Sequence, residues 1–155
     1  MIRALKLGHV VLKVRDAARS RDFYTRTLGL KVAHEDLEQG AVFLSFGQTH
    51  HDLALFQLAS GEAPGPAQPG LHHMAWQVGS FEELRSAHRE LRAMGVPIES
   101  AVEHNVTRSV YFHDPDGNRV EIYCDRFDDG GYEAMRRLGP KRDVMDIETG
   151  EVERR

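Results

Sequence analysis

Leu7-Gly8-His9-Val10-Val11-Leu12 and Leu71-His72-His73-Met74-Ala75-Trp76 are two copies of one pattern, and each sets a histidine at the same place beside a short apolar run, 64 residues apart. In each run alternate residues fall on opposite faces of an extended segment. Val10, Leu12 and Val14 share one face, with Met74, Trp76 and Val78 as their counterparts. His9, Val11 and Lys13 share the other, matched by His73, Ala75 and Gln77, so both histidines point the same way.

Working outward, each run is followed by an N-cap residue, Asp16 or Ser80, and by an amphipathic stretch of two to four helical turns. Each helix stops at a glycine, in Leu28-Gly29-Leu30 and in Met94-Gly95-Val96-Pro97, where a left-handed C-cap residue is wanted. Three extended segments then follow. In the first copy they span about 30–37, 41–46 and 52–58; in the second, about 96–103, 109–113 and 119–124, with Asp114-Pro115-Asp116-Gly117-Asn118 as a turn. The unit is β-α-β-β-β, used twice. Module one runs over 5–58 and module two over 71–125, joined by a Pro- and Gly-rich linker at 59–70. The expected fold is α+β: two tandem modules in one domain, 1–125, whose sheets curl into an open mixed barrel with the helices outside and the histidine faces lining the concavity. Residues 126–155 form a charged extension with one short helix at Tyr132 to Leu138, packed on the barrel or a partner subunit, and an expected disordered far end.

A third donor, Glu121, sits in Arg119-Val120-Glu121-Ile122-Tyr123. Two imidazoles and one carboxylate are the facial set that holds a divalent transition metal and leaves coordination positions open, so His9, His73 and Glu121 are the expected metal ligands. A solitary histidine in a strand is ordinarily a hydrogen-bonded structural residue; here the repeat selects His73 over His72, which is expected to face the other side. His34, His88 and His113 match no part of the pattern and read as surface or turn residues.

The 155 residues are 41% hydrophobic, enough to bury a core, and the net charge of −4 is spread without the basic stripe that nucleic acid requires. No stretch is long and apolar enough to span a membrane. The single cysteine, Cys124, has no intramolecular partner, and the N-terminus carries no signal-like apolar run, so a reducing cytoplasm is expected. Exposed sheet edges predict a homo-oligomer, a dimer or larger.

Over about residues 5–125 the two modules with His9, His73 and Glu121 resemble the vicinal oxygen chelate superfamily, which contains glyoxalase I, fosfomycin-resistance enzymes, bleomycin-binding proteins and type I extradiol dioxygenases. Within it, Val102-Glu103-His104, Val110-Tyr111, Asp114-Pro115-Asp116-Gly117 and Glu121 resemble the extradiol signature. His51-Asp52-Leu53-Ala54-Leu55 resembles the segment that carries an active-site histidine beside the oxygen-binding position. Odd-numbered residues of that strand put His51 with Leu53, Leu55 and Gln57, and equating Gln57 with Glu121 turns His51 toward the cavity. The resemblance implies Fe(II), with Mn(II) as the other candidate, and cleavage of a catechol-type diol by O₂. It implies that His51 stabilises reduced oxygen and moves a proton, and that His104 and Tyr111 bind the substrate oxygen or exchange its proton.

The chain carries one pair of modules where many extradiol enzymes have two, so it is most similar to the one-domain variety. Three other readings stay open. A fosfomycin-type thiol transferase uses the same metal donors without needing His51, His104 and Tyr111. Glyoxalase or epimerase chemistry wants a fourth carboxylate where Gln57 stands. A metal-free resistance protein that only binds its ligand would not need a complete triad.

Overall fold

The computed structural model describes residues 1–62, 65 and 67–153. Part of the expected linker (Ala63, Pro64 and Pro66) and the chain end (Arg154 and Arg155) therefore lie outside the described residues. The chain divides into two compact units, Met1–Pro64 and Gly65–Arg155.

The first unit contains β1 (Val10–Lys13), α1 (Ala17–Leu28), β2 (Lys31–Asp36), β3 (Ala41–Ser45) and β4 (Leu53–Phe56). Asp16 is extended and its carboxylate accepts from the Arg19 N–H at 2.9 Å, which starts α1; Gly29 at φ 69° ends it in the left-handed conformation. The sheet order is β1-β4-β3-β2. Leu12, Val42, Leu44, Leu53 and Leu55 are buried on one face together with Tyr24 of α1. Gly40 is held at φ 66° where a Cβ would meet the Gln57 Cβ at 2.8 Å, so this turn tolerates no side chain.

The second unit repeats the plan with β5 (Met74–Gln77), α2 (Phe81–Ala93), β6 (Ile98–Glu103), β7 (Thr107–His113) and β8 (Arg119–Asp125). Ser80 accepts from the Glu83 N–H while the Glu83 carboxylate accepts from the Gly79 N–H at 2.7 Å, a near-reciprocal cap on α2. The extension then adds α3 (Tyr132–Leu138), β9 (Asp143–Met145) and β10 (Val152–Glu153). The two short strands extend the second sheet, giving the order β10-β9-β6-β7-β8-β5. Ala134, Met145 and Ile147 are buried, so the charged composition of this segment conceals an apolar inner side.

The expected barrel is not formed. Among the described residues the strands make two separate sheets, one per unit, and neither closes on itself. Closure into a filled barrel takes about eight strands of one ladder, whereas the first sheet has four. In the second unit the open edge of β6 is taken by β9.

The register also corrects the sequence alignment of the modules. Val10 pairs with Leu53 and Met74 with Val120, so Ala54, not Gln57, is the counterpart of Glu121. The repeat offset grows by three because α2 is one residue longer than α1 and its connection to the next strand two residues longer. Gln57 has a structural task instead: its Oε1 accepts from the Ala17 N–H at 3.0 Å at the start of α1.

The β7–β8 turn is built on Asp114, which is 5% exposed. Its carboxylate accepts from the Asp116 N–H at 2.9 Å, the Asn118 N–H at 2.8 Å and the Asn118 side-chain amide at 2.9 Å. Asp114→Ala leaves these donors without their acceptor and is expected to lower the unfolding free energy of the full chain by about 1–3 kcal/mol. Urea denaturation checks this; an unchanged midpoint would show that the turn is held by Pro115 and Gly117 alone.

Candidate functional site

In the second unit three neighbouring strands present one constellation. Glu121 of β8 lies opposite Ala75 of β5 in the parallel pair and opposite Tyr111 of β7 in the antiparallel pair. Residues in register share a face of the sheet, so Glu121, Ala75 and Tyr111 point the same way. This is the face opposite the one where Val110, Phe112, Val120 and Ile122 are buried. His73 stands one residue before β5 rather than within it, just as His9 stands one residue before β1. From there the His73 Nε2 comes within 2.9 Å of the Glu121 Oε2, and its ring lies 5.7 Å from that of Tyr111.

His104 follows β6 in the connection to β7. Its Nε2 is 3.1 Å from the Tyr111 Oη, and its Nδ1 meets the backbone carbonyl of Lys141. These groups open onto a cavity of about 570 Å³, bounded on the far side by Val106, Tyr132, Met135 and Pro140.

Electrostatics follow from burial. Desolvation pushes the His73 imidazole below its ordinary value although Glu121 pulls it upward, so the neutral ring that metals require is favoured. Burial, then the charge of Glu121 and a hydrogen bond to it, push the Tyr111 phenol up to about 12. The guanidinium of Arg119 opposes this with its Cζ 3.9 Å from the centre of the Tyr111 ring. Arg119 is itself gripped by Glu99 of β6 through two bonds of 2.8 and 2.6 Å.

In the first unit the His9 and His51 rings lie 4.2 Å apart, and His51 packs edge-on against Phe43 at 5.3 Å. His51 does not share the face of Leu53 and Leu55 that strand alternation predicts. It precedes β4, and its contact with Phe43 sets it on the face opposite Leu53 and Leu55, because the chain leaves regular geometry before Leu53. Burial, then the neighbouring His9 and His50, push its imidazole down, and Asp52 pulls the other way. The Asp52 carboxylate ties the loop together. Burial raises it, but the Phe46 N–H and the Thr49 and Ser45 hydroxyls together hold it below the usual carboxylate range.

Among the described residues no three His, Cys, Asp or Glu side chains are grouped so as to hold a metal ion. Two of the three expected donors, His73 and Glu121, are in contact in the second unit. The third, His9, belongs to the first. His72 is not turned away as expected: its Nδ1 is 2.7 Å from the Nδ1 of His73. His88 is buried on α2, where a surface residue was expected, while His34 and His113 are exposed. Sequence reading missed Arg119 and Glu99, although Arg119 is two residues from Glu121 on the same strand and so on the same face. It also missed Asn105 and the Lys141 carbonyl, for which no side-chain pattern exists.

The repeated βαβββ units, each with a histidine one residue ahead of its first strand, define a class. The chain belongs to the Glyoxalase/Bleomycin resistance protein/Dioxygenase superfamily, whose profile matches residues 6–122. It is 33% identical over 123 residues to biphenyl-2,3-diol 1,2-dioxygenase 2 of Rhodococcus globerulus, covering 79% of this chain and 64% of that protein. It is 35% identical over 124 residues to biphenyl-2,3-diol 1,2-dioxygenase 3 of the same organism, with the same coverage. The chain thus spans a little under two thirds of these relatives. In fold it is similar to a crystal structure of a glyoxalase/dioxygenase from Nostoc punctiforme, with a TM-score of 0.65 and 24% identity over 82% of this chain and 98% of that one.

The Glu99–Arg119 pair gives a test of this geometry. Arg119 holds the Glu99 carboxyl below its ordinary value of 4.5. A depressed carboxylate stabilises the fold above its unfolded pKa, and that contribution is lost as pH falls through the folded value. Glu99→Gln is therefore expected to be less stable than the natural chain near neutral pH, with the gap shrinking as the solution is acidified below about 4.5. Thermal melts across that range check the sign; a gap that widens on acidification contradicts the pairing.

Proposed function

We propose that this protein is an enzyme that cleaves the ring of a catechol-type aromatic diol beside its hydroxyls, with O₂, at a divalent metal held by His9, His73 and Glu121. The observation that carries the reading is the single cavity face on which the His73–Glu121 pair meets Tyr111 and His104. A metal site explains Glu121 and a neutral His73, but a hydrogen-bonded Tyr–His pair beside it speaks for a substrate that brings an acidic hydroxyl. Relatives named biphenyl-2,3-diol 1,2-dioxygenases support the same substrate class.

The donor set suits Fe(II), with Mn(II) next, because imidazole and carboxylate match both and three protein ligands leave positions open. When bound, such an ion brings the diol and triplet O₂ together and passes electron density between them. The chain's own residues do the rest. The cavity of about 570 Å³ is within the range of small-molecule sites and is lined in part by apolar groups that suit an aromatic ring. Tyr111 Oη and His104 Nε2 hold the substrate oxygen and its proton. His51, pushed down by burial, is a neutral imidazole ready to take up a proton. Ala54 at the counterpart of Glu121 supplies no fourth carboxylate, which disfavours glyoxalase or epimerase chemistry. We place the enzyme in the reducing cytoplasm, as a dimer or larger assembly.

Protein purified anaerobically and loaded with ferrous iron is expected to consume O₂ with biphenyl-2,3-diol or a related catechol and to form a yellow ring-opened product. Metal analysis with an oxygen electrode checks this; bound metal with no uptake across a broad catechol panel would remove the reading. His51→Ala is expected to keep its iron yet turn over roughly a hundredfold more slowly or worse. Loss of iron in that variant would make His51 a ligand instead.

A further inference from the structure

We propose that the segment following β8 fixes the tautomer of His104, so that its Nε2 faces the cavity as a proton acceptor. The segment lies beyond the residues matched by the family profile.

The imidazole of His104 is held at both nitrogens. Nδ1 meets the Lys141 carbonyl and Nε2 meets the Tyr111 Oη at 3.1 Å. A carbonyl oxygen only accepts, so the nitrogen beside it must carry the hydrogen. In the neutral ring the other nitrogen then has a lone pair and no proton. A substrate hydroxyl can donate to it, and so can Tyr111 when its single O–H is turned from Glu121 to His104. The nitrogen that can accept a proton from a substrate hydroxyl is thereby set as Nε2.

The carbonyl is kept in place by a clasp. The Asn105 side-chain amide donates to the Leu138 carbonyl at 3.1 Å and the Gly139 carbonyl at 2.8 Å, at the end of α3 and two to three residues before Lys141. From the other side, the Arg126 N–H donates to the Val106 carbonyl at 2.9 Å, and its guanidinium reaches the carbonyls of His104 and Asn105 at 3.2 and 3.3 Å. The Lys141 side chain pairs with Asp143 at the start of β9, and β9 is hydrogen-bonded to β6, the strand that leads into His104. Asn105 is thus a positioning residue. It acts on His104 through the backbone of the extension.

The tautomer itself does not depend on the proposed ring cleavage; only its consequence for turnover rests on that reading. The test uses the metal-free full chain with ¹⁵N-labelled histidine, at about pH 8 where an ordinary imidazole is neutral. The His104 signals are those absent from His104→Gln. A protonated Nδ1 with a bare Nε2 is expected, and a protonated Nε2 overturns the proposal. Tyr111→Phe is expected to keep Nδ1 protonated; a switch to Nε2–H would make Tyr111 the determinant and overturn it equally. Asn105→Asp loses both donors and sets a carboxylate against two carbonyls, and it is expected to populate the Nε2–H tautomer. A tautomer unmoved in a folded Asn105→Asp chain refutes the clasp. In iron-loaded protein the same variant is expected to lose roughly tenfold or more in kcat with little change in KM, as fits a misdirected proton-transfer group.

Discussion

Glu121 is a carboxylate with 6% of its surface left to solvent, set in the middle of a β-sheet. Removing such a charge from water costs several kcal/mol unless other groups compensate. What surrounds it is therefore dictated: an imidazole at 2.9 Å from His73, a phenol on the next strand, and a guanidinium stacked on that phenol. Each of these is in turn supported, Arg119 by Glu99 and Tyr111 by His104. A bound divalent ion is the strongest compensation this donor set can receive, and the neutral state favoured at His73 leaves a lone pair to bind it. The stability of this face and, under the proposed function, its chemistry rest on the same buried carboxylate.

Much of this was legible in the sequence because the signal was duplicated. A period-2 pattern beside a histidine, seen twice at a fixed spacing, located both edge strands and their inward faces, and cap residues at Asp16, Ser80, Gly29 and Gly95 marked both helices. Tyr111 and His104 were legible through family resemblance alone, since a tyrosine in a strand reads equally well as core. The barrel was not legible. Strand count and order follow from the pattern, but closure depends on which edges find partners, and β9 came from a segment whose charge hid Met145 and Ile147.

The displaced repeat shows why a fixed offset misleads. Three residues added around α2 leave β5 matched to β1 at the original spacing but shift every later strand. A parallel pair joined through a helix tolerates this because the crossover absorbs length without changing the register of the pair it connects. The consequence reaches the site: the position that carries the buried carboxylate in one unit carries Ala54 in the other. Ala54 is 1% exposed and sits among apolar neighbours, where an unpaired carboxylate would be costly. The two units have kept one backbone plan while the ionic demands of that position have separated.

The extension illustrates how chemistry can be assigned without a side-chain motif. A sheet face holding Glu121, Tyr111 and His104 would be open on one side; α3 and the chain after it supply Tyr132, Met135 and Pro140 as an apolar boundary. Apolar walls strengthen the electrostatic interactions inside by lowering the local dielectric. The hydrogen-bond partners offered by the backbone decide which nitrogen of His104 keeps its proton, and the carbonyl of Lys141 is such a partner. The wall and the tautomer are thus two effects of one segment, and the residue that joins them, Asn105, works through peptide groups whose identity no substitution pattern would reveal.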